Sequence, residues 1–268
     1  MPTTNRPLRV LQISDPHLFA QRTQTLLNID TRAALEGVVR HILQDDDKPD
    51  IVLATGDITQ DGSVQACEDF LELARPIAPV LRGLPGNHDS DANFYAAWGD
   101  DAQAITDLQG WRIVMLNSTI EGSSAGNLAA DQLDLLRQAA SDAGDRHILV
   151  ALHHNPVPVG SAWMDTMMVD NSHALLEILG RHPAIRAVIW GHVHQEYDSV
   201  CSFGTHRVQL MATPATCLQF APRSPGFKLD FVDPGYRRLD LHPDGKIDTR
   251  VVRVPGLNLQ PDAQSTGY

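Results

Sequence analysis

The chain has 268 residues and a mass of 29.4 kDa, with 43% hydrophobic and 20% charged residues, an ordinary composition that can bury a core as one large domain or two small ones. A formal net charge of −12 argues against a nucleic-acid partner, because phosphate backbones are bound by clustered Lys and Arg. No run approaches the roughly 18 apolar residues of a membrane span, MPTTNRPLRV carries no export signal, and Cys67, Cys201 and Cys217 are too scattered for a disulfide framework or a CxxC metal knuckle, so a cytoplasmic protein without a membrane partner is expected.

In chain order, LRVLQIS (8–14) predicts a strand and TRAALEGVVRHILQ (31–44) an amphipathic helix with Thr31 as its N-cap. IVLAT (51–55), PVLRGL (79–84), RIVMLNS (112–118), HILVAL (147–152) and AIRAVIW (184–190) predict further strands. Between them, 62–75, a segment beginning near Asp91, 129–141 and 171–181 predict helices, the last capped by Asn171. Such alternation implies βαβ units and a covered sheet. After Gly191, EYDSVCSF, HRVQLMAT, FKLDFV, YRRLDLH and KIDTRVVRV read as strands, with HPDGK (242–246) as a hairpin turn. Consecutive hairpins predict a second, more antiparallel sheet packed on the first. With no linker and no internal repeat, a single domain over 1–268 is expected, its polar tail 257–268 loosely ordered.

The polar residues that follow these strands share one chemistry. Asp15-Pro16-His17, Gly56-Asp57, Gly86-Asn87-His88-Asp89, His153-His154 and Gly191-His192-Val193-His194 each come directly after an apolar run. Ligands of open α/β sheets bind outside the carboxyl ends of strands, so these residues can converge. Any one alone reads as a cap, a turn or a surface histidine; the set together reads as a metal centre. A strand period of two would aim His192 and His194 into one pocket. Imidazole, carboxylate and one carboxamide without thiolate suit Fe, Mn, Zn or Co. Seven ligands exceed the needs of one ion and fit two ions sharing a carboxylate.

The five blocks in this order resemble the calcineurin-like metallophosphoesterases. SDPHLFAQ (14–21), ATGDITQDGS (54–63), LPGNHD (84–89), LHHNPVPVGSAWMD (152–165), GHVHQE (191–196) and ATPATC (212–217) are similar to the bacterial class III 3′,5′-cyclic AMP phosphodiesterases, and the similarity continues through PGYRRLDLHPDG (234–245). The resemblance implies an α/β fold, a four-layer αββα sandwich of two packed mixed sheets flanked by helices. It implies one ion on Asp15, His17 and His194, a second on Asn87, His153 and His192, and Asp57 between them. Fe or Mn is the first expectation for the pair, with Zn and Co open.

The implied reaction is attack of a metal-bridging hydroxide on a small cyclic nucleotide, giving 5′-AMP. His88 and Asp57 are then catalytic, and His17, Asp57, Asn87, His88, His154 and His194 would meet substrate. For His88 the role is to stabilise phosphoryl oxygens or protonate the leaving alkoxide, with Asp61 or Asp89 to orient it; a helix cap is the competing role for Asp89. His154 either contacts substrate or packs beneath NPVPVG. The segments 18–32 and 159–172 should overhang the site, where Arg22, Trp163, Met164 or Asn171 either touches a base or ribose or merely packs its loop. A broader phosphodiesterase acting on glycerophosphodiesters or 2′,3′-cyclic nucleotides is the alternative, and a non-catalytic scaffold a third. The resemblance leaves a homodimer open, with no interface marked in the residues.

Overall fold

The computed structural model describes residues 6–267. Two sheets lie face to face. The first has the order β13 (Ile247–Arg253), β12 (Gly235–Leu241), β1 (Leu8–Ile13), β2 (Ile51–Thr55), β3 (Val80–Leu84). The second has the order β4 (Ile105–Leu108), β5 (Trp111–Met115), β6 (His147–Ala151), β7 (Ile185–Trp190), β9 (His206–Ala212), β8 (Tyr197–Phe203). β1–β2–β3 and β5–β6–β7–β9 run parallel, while β12, β13, β4 and β8 pair antiparallel, so both sheets are mixed.

The period of two in each strand decides the layers. In β1, Leu8 and Val10 face the other sheet, whereas Leu11 and Ile13 face helices; Ile51 and Leu53 alternate with Val52 and Ala54 in the same way on β2. In β6, Leu149 and Ala151 point between the sheets while Ile148 and Val150 point outward. Strands buried on both faces need continuous apolar runs, which is why IVLAT and HILVAL lack alternation. Helices α1 (Thr31–Gln44), α2 (Val64–Ala74) and α3 (Asp91–Trp98) cover the first sheet, and α4 (Ala130–Ser141) and α5 (Ser172–Arg181) cover the second. This is the four-layer αββα sandwich that the resemblance implied. Among the described residues no helix is long and apolar enough to cross a membrane.

Three local expectations need correction. The strands after Gly191 do not build their own antiparallel sheet; β8 and β9 extend the second sheet and β12 and β13 the first, because each hairpin caps a sheet edge already formed by parallel strands. FKLDFV pairs only through β11 (Leu229–Asp230) with β10 (Gln219–Phe220), and Phe231 is 66% exposed. The N-cap of α1 is Asp30, whose side chain accepts from the Ala33 N–H, while the Thr31 hydroxyl donates to the His17 carbonyl at 2.9 Å. Asn171 is the N-cap residue of α5, as expected, but its amide bonds both backbone groups of Leu128 in place of a capping hydrogen bond. The HPDGK turn forms where expected, with Gly245 at φ +84° and its N–H donating to the His242 carbonyl.

One buried cation ties the two sheets together. Arg237 on β12, only 1% exposed, donates to the Asp198 carboxylate on β8, to the Ala212 carbonyl on β9 and to the Thr249 hydroxyl on β13. Asp198 is 48% exposed and can rehydrate when its partner is removed. Arg237→Ala is therefore expected to cost about 2–3 kcal/mol, below the full penalty of a stranded buried charge. Urea unfolding checks this, and an unchanged midpoint would show that the staple carries no stability.

Candidate active site

Five parallel strands end at one place, and the chain leaves them in an unusual way. Asp15 (φ 54°), His17 (φ 49°), Asp57 (φ 47°), His192 (φ 63°) and His194 (φ 46°) all occupy the left-handed region, which non-glycine residues seldom adopt. Such conformations cost about 1–3 kcal/mol each and persist only where neighbours over-determine them. Here the neighbours are the loops themselves: the Asp15 N–H donates to the Gly56 carbonyl at 3.1 Å, the His17 N–H to the Asp57 carbonyl at 3.0 Å, and the Gly191 N–H to the His153 carbonyl at 3.2 Å. The His192 N–H donates to the Asp15 carboxylate at 3.0 Å.

This corrects the strand-alternation argument for His192 and His194. β7 stops at Trp190, and the two left-handed turns send the imidazoles to different partners. His194 gathers with Asp15 and His17, whereas His192 gathers with His153 and His154. The His17 and His194 ring centroids are 5.1 Å apart, as are those of His153 and His192. Asp57 lies between the two groups, its Oδ2 3.2 Å from His153 Nε2 and 3.7 Å from His17 Nε2. Asn87 Oδ1 is 3.2 Å from the same His153 nitrogen.

Hydrogen bonds fix the tautomers and so decide what the cluster can hold. His17 Nδ1 donates to Gln60 Oε1 at 2.7 Å, His153 Nδ1 to the Thr55 carbonyl at 2.8 Å, and His194 Nδ1 to the Leu218 carbonyl at 2.9 Å. A neutral imidazole carries one N–H, so all three Nε2 atoms present lone pairs. Those of His17 and His194 are 3.1 Å apart, and that of His153 faces the Asp57 and Asn87 oxygens. Converging lone pairs with fixed outer tautomers require a positive charge among them, and that is the donor set of a metal ion. His192 Nε2 is buried and has no hydrogen-bond partner among the described residues, which fits the same role. The residues therefore fit metal cations.

Electrostatics agree. Burial opposes charge on Asp57, but His153, His88 and His17 outweigh it and hold the carboxyl well below the usual carboxylate range. Burial also opposes charge on Asp15, and His194 and His153 likewise bring it down. Burial would lower His153, yet Asp57 and Asp15 raise it to about 9, so a proton occupies this place when no cation does. Burial takes His17 down to about 3, leaving its ring neutral.

Two glycines are placed by close approach. A Cβ on Gly86 would strike the backbone N and carboxylate of Asp57, and one on Gly191 would strike the Ser14 hydroxyl, with Asp15 Oδ2 at 2.7 Å and the Thr55 carbonyl at 2.8 Å. Gly191→Ala is thus expected to displace Asp15, lower stability by about 1–3 kcal/mol and reduce metal loading. Thermal melting with elemental analysis checks this, and a fully loaded variant of unchanged stability would contradict it.

The remaining candidates divide. His88 is half-buried at the rim, its ring 4.9 Å from that of His17, and its backbone N–H holds Asp57 Oδ1 at 2.9 Å. His154 is fully buried, 2.8 Å from the Ser118 hydroxyl through Nδ1. Asp61 accepts from the N–H groups of Ala20 and Ser63. Asp89 accepts from the N–H groups of Ile58, Thr59 and Gly86 and from the Thr59 hydroxyl, bracing the loops that carry Asp57 and Asn87. Burial and the nearby Asp57 raise Asp89 to about 7 against those donors. The cap of α3 is Ser90, not Asp89. Arg22 pairs with Asp69 at 3.0 Å. Trp163 and Met164 line a cavity of about 260 Å³ whose other side is formed by Asp57, Asn87, His88 and His192. Trp163 and Met164 were among the loop candidates, whereas Phe220 and Phe227, which also line the cavity, gave no sequence signal, because only folding brings 163, 220 and 227 together.

A two-sheet αββα sandwich with imidazoles and carboxylates converging at its strand ends is the architecture of a metallophosphoesterase. The chain belongs to the calcineurin-like phosphoesterase family, which matches residues 8–196. Within it, the chain is 42% identical to the 3′,5′-cyclic adenosine monophosphate phosphodiesterase CpdA of Pseudomonas aeruginosa, covering 100% of this chain and 97% of that protein. It is 38% identical to the CpdA of Escherichia coli K12, covering 97% and 95% of the two chains. Among solved structures, a dimetal phosphatase from Danio rerio shares the fold at a TM-score of 0.64 and 15% identity, over 92% of this chain and 99% of that one.

Proposed function

We propose that this protein is a dinuclear metal-dependent phosphodiesterase that hydrolyses 3′,5′-cyclic AMP to 5′-AMP and so lowers the cyclic nucleotide in the cytoplasm. The observation that carries the reading is the set of lone pairs from His17, His194, His153, Asp57 and Asn87 converging on a space that only positive charge can satisfy. Full-length similarity to proteins named as 3′,5′-cyclic AMP phosphodiesterases supplies the substrate. In this reading Asp15, His17 and His194 hold one ion, Asn87, His153 and His192 the other, and Asp57 contributes to both. Fe or Mn suits this mixed N/O set, with Zn or Co as substitutes. Such cations supply a nucleophile at neutral pH and neutralise phosphoryl charge.

The chain's own groups do the rest. Gln60, Thr55 and Leu218 lock the imidazoles so that Nε2 points inward. The backbone N–H of His88 fixes one Asp57 oxygen and leaves the other directed at His153 and His17. The ring of His88, at the mouth of the cavity, donates a proton to the departing 3′-oxygen, so the 5′-monophosphate remains. Asp57, Asn87 and His88 face the phosphoryl group, with His17, His154 and His194 behind them; the single domain spans 1–268. The homodimer left open by the resemblance is read from elution volume and light scattering.

Chelation tests the metal requirement. Dialysis against EDTA is expected to abolish turnover of 3′,5′-cyclic AMP, and added Mn²⁺ to restore it. Full activity in exhaustively chelated protein would refute the reading.

A further inference from the structure

The cavity beside the candidate metal cluster has two unlike halves. One half is Asp57, Asn87, His88 and His192; the other is Trp163, Met164, Met167, Phe220 and Phe227. The aromatic half is a connected block rather than scattered apolar residues. The Trp163 ring meets Phe220 at 5.0 Å and Phe227 at 5.4 Å, both edge to face, and Phe220 and Phe227 meet at 5.5 Å. Phe220 in turn stacks on His194 with ring centroids 4.2 Å apart and planes 11° from parallel. The block is therefore continuous with the metal-ligand cluster, and its distance from the phosphoryl side is set by one stacking contact.

The loop that carries Trp163, Met164 and Met167 is held in place from below. Asp165 accepts from the Val159 N–H at 2.7 Å and the Gly160 N–H at 3.1 Å, and the Ala162 N–H donates to the Ser224 carbonyl at 3.1 Å. That last bond joins the loop to the turn between β10 and β11, which carries Phe227. A wall fixed in this way loses little entropy when a ligand packs on it. Ser124, Thr266 and Gly267 also line the cavity and bring hydroxyl and backbone groups to it.

We propose that the Trp163–Phe220–Phe227 wall is the nucleobase subsite and that it recognises a base by aromatic contact rather than by reading its edge. The inference rests on the phosphodiesterase reading and extends it to specificity. A flat heteroaromatic ring attached to the cyclic phosphate through ribose is the ligand such a two-sided cavity fits, with phosphate on the charged half and base on the aromatic half. Among the described residues, the cavity lining beyond Asp57, His88 and His192 carries no charged side chain, which leaves aromatic contact as its main means of holding a base. The site then favours base-bearing diesters over base-free ones and treats 3′,5′-cyclic AMP and 3′,5′-cyclic GMP alike.

Binding of products separates this inference from the activity itself. With Mn²⁺-loaded protein, calorimetric titration of 5′-AMP and of ribose 5-phosphate reports the base contribution alone. 5′-AMP is expected to bind about 10- to 100-fold tighter, the range for one base stacked on aromatic side chains. In Trp163→Leu and in Phe227→Leu that ratio should fall to within about threefold while ribose 5-phosphate binding is unchanged. Phe227→Tyr, which keeps the ring, should retain the ratio, and this variant controls for misfolding. Equal binding of 5′-AMP and ribose 5-phosphate by the parent protein, or an undiminished ratio in both leucine variants, overturns the subsite. Hydrolysis of 3′,5′-cyclic AMP at least about tenfold more efficient than that of 3′,5′-cyclic GMP would overturn the claim that the base edge is not read. If the parent protein hydrolyses neither nucleotide, the phosphodiesterase reading fails, and the titration still reports on the wall.

Discussion

Replacing His88 by Ala is expected to leave the metal content intact and to reduce turnover of 3′,5′-cyclic AMP by about 10²- to 10⁴-fold, the contribution of a positioned general acid. The two halves of that expectation come from different parts of the residue. The backbone N–H of His88 holds Asp57 at 2.9 Å, and alanine keeps that N–H. The imidazole sits at the cavity mouth beside His17, where a leaving oxygen would emerge. The loss should therefore appear in kcat with little change in KM. Elemental analysis of the same sample decides the assignment, since loss of metal together with turnover would make His88 a ligand instead of an acid.

Asp57→Asn should be worse, because one carboxylate serves both groups of ligands. Its Oδ2 faces His153 and His17 at once, and its charge raises His153 to about 9. An amide keeps the shape but removes the charge that, in the proposed reading, offsets two cations. We expect loss of at least one ion per chain and a fall in turnover of at least about 10²- to 10³-fold, the scale for removing one electrostatic contact to a reacting phosphoryl group. A fully loaded and active Asp57→Asn protein would sink the shared-carboxylate assignment. The contrast with His88→Ala is informative in itself, since one variant should lose chemistry alone and the other chemistry and metal together.

Much of this site was legible in the sequence because imidazoles, carboxylates and one amide follow five apolar runs, and the structure brings them together. Asp15, Asp57, Asn87, His153 and His192 could be picked out by following each apolar run to its last residue. What periodicity could not give was direction. His192 and His194 looked like alternate residues of one strand, yet both adopt positive φ and separate between the two clusters. A left-handed turn at a histidine is stabilised by long-range bonds, here to Asp15 and His153, and no local pattern encodes it. Asp89 looked like a helix cap, but Ser90 caps α3 and Asp89 braces loops that are 30 residues apart through Thr59 and Ile58. The four-layer fold was implied by resemblance, while the splitting of the last strands between both sheets was not, since a hairpin sequence does not say which edge it will join. Arg237 read as an ordinary strand residue until Asp198 and Ala212 were seen across the interface.

The most direct test of the account is a parallel comparison of kcat/KM for 3′,5′-cyclic AMP, 2′,3′-cyclic AMP and a glycerophosphodiester, using protein purified without chelator and assayed with Mn²⁺. The account predicts clear preference for 3′,5′-cyclic AMP with 5′-AMP as the sole nucleotide product. Equal or better turnover of the other diesters would contradict it and leave a broad phosphodiesterase in its place, while no turnover of any would return the metal cluster to a structural role.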